Sequence, residues 1–319
     1  MLKYSLRKIL IIFISLILAN FMGFSFAFLV SPTAMAGNPY AHRSSETFPV
    51  LPAYLGYIKR IMQGDFGETF SGESVLVVIQ RVGVNSLGLM GIALVISIIG
   101  GIILGRLAVR RNKRGIAPWL TIFSTIGLAS PGFYIAVLLI FLMLQIILSG
   151  NSNLQVIPFI GFGWDSHLVL PVITLSLQPM VKIARMVGGL LAEEMEKPYV
   201  KASLGFGFKF PIIKRKFAFR SIYSSVILII ASSTRLMMAE LIIIERLFNW
   251  PGYGSLLSST LSLGNLSADY LSPPMVAALL TILAAFFLLI DLFATLLARS
   301  VDPRLSAELE TEIMGKAAL

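Results

Sequence analysis

Residues 193–223 read EEMEKPYVKASLGFGFKFPIIKRKFAFRSIY, a polar and basic island set between two apolar runs. Pro198 suits the first turn of a helix, where its missing N–H has no intrahelical partner and its fixed φ is already helical. A short helix through Leu204 follows from this. Gly205 and Gly207 then supply two points where the backbone can bend or take positive φ, and Pro211 stops a helix from continuing straight through. The prediction is helix, elbow, helix. Lys201, Lys209, Lys214, Arg215, Lys216 and Arg220 make the island cationic, while Phe206, Phe208 and Phe210 thread aromatic rings among the charges. Rings in such a setting call for an apolar partner surface; the alternative is an interfacial helix lying on anionic lipid.

The flanking runs define the fold class. Of 319 residues 56% are hydrophobic and only 13% charged, with a mean hydropathy of +0.85. At roughly 20 apolar residues per crossing, this is enough for several transmembrane helices, and the runs are too continuous for the alternating pattern of a β-barrel. The reading is an all-α membrane protein with six transmembrane helices and both termini cytoplasmic. With no cysteine, neither a disulfide framework nor a thiolate metal site is available.

In chain order, residues 1–8 are a cytoplasmic N-terminus and 9–30 the first span. Its apolar run exceeds the ~7–15 residues of a signal-peptide core, although Ala34-Met35-Ala36 mimics a cleavage site. Residues 31–83 form a periplasmic or extracellular segment in which 50–62 is amphipathic enough to lie on the membrane surface. A five-helix core over 84–298 has spans at 84–108, 119–148, 168–186, 223–244 and 275–298, and 299–319 is a cytoplasmic tail. Ser130-Pro131-Gly132 should bend the third span. Counted on this topology, 20 of the 26 Lys and Arg residues fall on the side of the termini and the island, Lys182 and Arg185 among them. By the positive-inside rule that side is cytoplasmic, so the net charge of +10 reflects topology and the lipid bilayer, with no nucleic acid partner.

The chemistry within the chain is sparse. No phosphate-binding Gly-x-x-x-x-Gly-Lys-Ser/Thr loop occurs, so nucleotide energy has to come from a partner. The two histidines, His42 and His167, are far apart and make a poor metal site; no cofactor and no metal are expected on this chain. No hydrolase elbow or zincin motif is present. Arg235 and Glu240 in the fifth span and Asp291 in the sixth are the ionisable residues in apolar surroundings, where each should face protein or water. They line a polar translocation path, or Arg235 and Asp291 form a structural ion pair between helices. Gly100, Gly101 and Gly105 permit close helix approach.

The order of several short motifs resembles one family. Gly64-Asp65-Phe66-Gly67, Ser130-Pro131-Gly132-Phe133, His167-Leu168-Val169-Leu170-Pro171 and Ala184-Arg185 are similar to landmarks of the inner-membrane permease subunits of ABC importers, in the dipeptide/oligopeptide/nickel branch and of the first-permease type. So are Glu245, Phe248, Trp250, Pro251, Gly252 and Gly254 of an outer-loop motif, and the closing Asp302-Pro303-Arg304. The resemblance implies the type I importer permease fold. It also implies a second homologous permease subunit, two ATPase subunits that hydrolyse ATP with Mg, and an extracytoplasmic solute-binding protein. The island, 193–222, then corresponds to the loop that docks into the ATPase, with Tyr199, Lys201, Ala202, Ser203, Gly205, Phe206, Gly207 and Phe208 in the coupling role. Lys201-Ala202-Ser203 stands where the family has Glu-Ala-Ala, and Gly205 is additional. The implied activity is import of a solute, di- or oligopeptides by family default, through alternating access. A stand-alone secondary transporter or channel using Arg235, Glu240 and Asp291 is the alternative.

Overall fold

The computed structural model describes residues 2–36, 49–110, 115–149, 157–261 and 271–301; His42 and Asp302-Pro303-Arg304 lie outside them. Among the described residues the regular structure is helical, with two isolated β-bridges, Glu68 to Ser74 and Val109 to Ile116. The helices are α1 (Leu2–Ala36), α2 (Val50–Met62), α3 (Val75–Ala108), α4 (Pro118–Ala129), α5 (Gly132–Leu148), α6 (Val169–Glu194), α7 (Pro198–Gly205), α8 (Phe210–Ile212), α9 (Phe219–Ser221), α10 (Tyr223–Leu247), α11 (Tyr253–Leu261) and α12 (Pro273–Val301). A π-helical turn, Ile213–Ala218, joins α8 to α9.

Five helical segments are long and apolar enough to cross a membrane: Lys8–Val30, Val75–Ala108, Ser166–Glu194, Tyr223–Leu247 and Pro273–Val301. The pair α4 and α5 gives a sixth if it is counted as one broken span, since its halves meet at 91°. Proline causes the break. Pro131 sits between the halves with extended backbone (φ −60°, ψ 145°), and having no N–H it cannot continue the ladder of α4. The bend expected here from the sequence is a corner.

Several helices run beyond the apolar limits expected for their spans, α3 and α6 among them. α3 begins at Val75, ahead of the expected start at 84, and α6 continues past 186 to Glu194. Both extensions carry polar residues, Gln80 and Arg81 in α3 and Glu193 and Glu194 in α6, and helical hydrogen bonding does not stop where hydropathy falls.

The chain divides into two units, residues 1–88 with 249–289 and residues 89–248 with 290–319. In the first, α2 turns its tyrosines onto α1. Phe24 stacks on Tyr57 at 5.0 Å and meets Tyr54 edge-on at 5.4 Å, with Ala277 of α12 beside them. The amphipathic α2 therefore packs its aromatic face on protein, while Leu51 and Leu55 remain exposed.

In the second unit α6 is the central helix, packed by α3, α4, α5 and α10. Small residues on α3 set its distance from α6. A Cβ on Gly101 would stand 2.9 Å from the Met180 carbonyl oxygen, and one on Gly105 2.7 Å from that of Ala184, so the two backbones touch.

Candidate functional site

The island folds as three short pieces fixed to the ends of two spans. Pro198 opens α7, whose buried residue is Val200. Gly207, at φ +84°, ends it; Gly205 remains helical, so Gly207 supplies the left-handed turn by itself. Tyr199, Lys201, Ala202 and Ser203 all lie on α7, and the Ser203 hydroxyl donates back to the Tyr199 carbonyl at 2.8 Å. Beyond the helix, Phe206 is 82% exposed and Phe208 47%. Phe208 meets the edge of Phe217 at 5.8 Å, while Phe210 takes the Lys214 ammonium over its ring at 5.5 Å. Of the three rings, Phe206 is the one left almost wholly uncovered.

Glu194, the last residue of α6, ties α7 to the span. Its carboxylate is buried, accepts from the Tyr199 hydroxyl at 3.0 Å, and pairs with the Lys197 ammonium at 2.6 Å. Ser221 of α9 is a further hydrogen-bond partner. Burial and then the carboxylate push the Tyr199 phenol up to about 12, so it stays a donor at any physiological pH. On the other flank, Lys214 donates to the carbonyls of Arg106 at 2.9 Å and Val109 at 3.1 Å, where the end of α3 offers acceptors. Burial, and after it the nearby Arg106, hold the Lys214 pKa below the usual lysine value. Arg106 in turn lies 5.0 Å over the Phe219 ring. The elbow is thus held at both ends, with its aromatic tip exposed.

The intramembrane ionisable residues do not converge on one point. Arg235 of α10 pairs with Asp291 of α12. Glu240 is used elsewhere: its Oε1 accepts from the Gly132 N–H at 3.3 Å, at the start of α5 just past the break. Five residues separate Arg235 from Glu240, about 140° around the helix, and this geometry sends them to different neighbours. Lys182 belongs to the same inventory. It lies within α6, well before Glu194, and its ammonium donates to the Ser232 carbonyl of α10 at 3.3 Å. The charge count places it on the inner side although it falls inside the expected span 168–186; in the structure it bonds to a neighbouring helix.

The outer-loop motif is structural in its contacts. Glu245, Phe248 and Trp250 are fully or almost fully buried. Asn249 takes a left-handed backbone, φ 55°, a conformation that asparagine tolerates better than most residues. Trp250 donates to the Asn85 carbonyl at 3.3 Å, the Asn85 side chain donates to the Pro251 carbonyl at 2.8 Å, and the Tyr253 N–H donates to the Ser86 hydroxyl at 2.6 Å. Gly252 precedes α11 and Gly254 is buried within it. These bonds clamp the turn from Trp250 to Tyr253 onto α3.

Residues 97–306, from the middle of α3 past the end of α12, match the binding-protein-dependent transport system inner membrane component family. The chain belongs to that family. It is a multi-pass membrane subunit of an ABC importer, a transport component and not the ATPase. Members similar to it include the dipeptide transport system permease protein of Lactococcus lactis subsp. cremoris, 25% identical over 95% of this chain and 99% of the relative. The oligopeptide transport system permease protein of Bacillus subtilis is 27% identical over 80% and 81%. That of Mycobacterium bovis is 24% identical over 95% and 99%. The Lactococcus and Mycobacterium relatives align along nearly the whole of this chain.

Proposed function

We propose that this subunit pairs with a second homologous permease, binds two ATPase subunits on its inner face, and imports di- or oligopeptides handed over by an extracytoplasmic binding protein. ATP and Mg act on the partner subunits. α7 and the elbow through Phe208 enter a groove on the ATPase, so that ATP-driven closure moves the end of α6 and the spans alternate between outward and inward access. The termini and the island face the cytoplasm, in keeping with their share of Lys and Arg. The observation that carries this reading is the elbow itself: an exposed Phe206 at the tip of a helix rigidly tied to α6 through Glu194. An aromatic side chain exposed beside anchored cations suits a protein surface that covers it. The peptide substrate is supported by the named functions of the relatives.

The absence of cysteine makes the test direct. Ser203→Cys and Phe206→Cys, each co-expressed with an ATPase subunit carrying one cysteine in its groove, should crosslink, and the yield should change with ATP. A complex that transports without forming these crosslinks would move the elbow to the lipid surface. Uptake driven by a proton gradient in the absence of ATP would favour the secondary-transporter reading.

A further inference from the structure

The middle of the second unit holds more positive charge than it neutralises. Arg235 stands at the midpoint of α10, and Lys182 lies near the middle of α6. Lys182 donates to the carbonyl of Ser232, which lies one turn before Arg235 on the same face of α10. Arg185, one turn along α6 from Lys182, is exposed. Against these stand two carboxylates, Asp291 and Glu240, and of these Asp291 is engaged by Arg235. Glu240 is occupied at Gly132, and no ion pair to Lys182 forms among the described residues. An ammonium in an apolar span satisfied only by a backbone carbonyl is an incomplete arrangement, since it keeps two further donors and a whole charge.

We propose that Lys182 and Arg235 form an intramembrane station for the carboxylate of the translocated peptide, a reading that rests on the peptide import proposed above. The station is reachable: the Arg235 side chain is 35% exposed and that of Asp291 57%, with Lys182 half-buried. The guanidinium fork and the ammonium are complementary in kind, one matching a carboxylate in two directions and the other acting as a point charge. A C-terminal carboxylate is common to all unmodified peptides, so the station is indifferent to peptide sequence. Asp291 has a part in release. It competes with the peptide for Arg235, so the guanidinium is never left without a partner when the peptide departs.

The test compares a dipeptide with its C-terminal amide in the reconstituted full complex, each supplied at a concentration saturating the binding protein. Wild-type complex should transport the free acid faster than the amide by about tenfold. Lys182→Met should bring that ratio close to one while Lys182→Arg preserves it. The double variant Arg235→Gln with Asp291→Asn removes a cation without stranding its acid, and should likewise lower the ratio. A preference for the free acid that persists unchanged in Lys182→Met, in a complex that assembles and transports, overturns the station and leaves peptide import standing. Loss of the second permease from the purified Lys182→Met complex, restored by neutralising an acidic residue of that subunit, overturns it in favour of an inter-subunit ion pair. No uptake of either peptide by an intact, ATP-hydrolysing complex overturns the peptide reading and the station with it.

Discussion

Glu194 is a buried carboxylate whose partners are Tyr199 of α7, Lys197 just before that helix and Ser221 of α9. Replacing it with alanine removes the acceptor for Tyr199 and the counterion of Lys197. The expected cost is about 1–2 kcal/mol, at the lower end for hydrogen bonds to a charged group because both partners are partly in water. The functional loss should be larger: ATP hydrolysis continues while solute moved per ATP falls several-fold, as measured by paired hydrolysis and uptake assays. Equal loss of both activities would mean that Glu194 only holds the fold together. Tyr199 offers a pH test of the same bond. Its phenol is raised from 10.0 to about 12 in the folded state, so its contribution to stability is complete below pH 10 and is lost as pH rises through about 12. The difference in thermal stability between wild type and Tyr199→Phe should be constant below pH 10 and shrink above it. The sequence put Tyr199 in the coupling stretch. It did not single out Glu194, because one acid among Glu193, Glu194 and Glu196 is distinguished only by which way the end of α6 faces.

Among the elements, the seam between α3 and α6 is set by backbone contact. Gly105→Leu would place a side chain against the Ala184 carbonyl, which cannot rotate away. Overpacking of this kind costs about 1–3 kcal/mol, and the complex should purify in lower yield with a lower melting temperature. Gly91, on the same helix and with nothing within 4 Å of its would-be Cβ, provides the control. Gly91→Ala should be neutral or stabilising by up to about 1 kcal/mol, since alanine loses less entropy in a helix. The corner between α4 and α5 has its own geometry. A Cβ on Gly132 would lie 2.9 Å from the Glu240 carboxyl carbon, so Gly132→Ala should destabilise, and adding Glu240→Ala should recover part of the loss. Additive effects in a thermal-unfolding cycle would show that the two residues do not act together. That glycines would permit close approach was legible from composition. Which glycine meets which carbonyl was not, because rotation of α3 by one residue would present a different set.

For the whole molecule, the distribution of charge makes a prediction about sidedness. Single cysteines introduced at Ser203 in α7 and at Ser71, an exposed residue before α3, should react with a membrane-impermeant maleimide from opposite faces. Ser203→Cys should label only in inside-out vesicles and Ser71→Cys only in right-side-out ones. The reverse pattern would overturn the assigned orientation.

What the sequence determined by itself was set by quantities additive along the chain. Hydropathy summed over a helix length yields spans, Lys and Arg counts yield an expected sidedness, and Pro198, Gly207 and Pro131 yield breaks, since each acts through its own backbone. The order of short motifs was enough to indicate the family. The tertiary structure decided what depends on two segments at once. It paired Arg235 with Asp291, sent Glu240 to the corner at Gly132, set Lys182 against the Ser232 carbonyl of α10, and joined Glu194 to Tyr199 of α7. The reason is that helical hydrogen bonds fix rise and angle within a segment but leave its rotation and depth against a neighbour free. Those two variables, settled by packing, decide which charges meet.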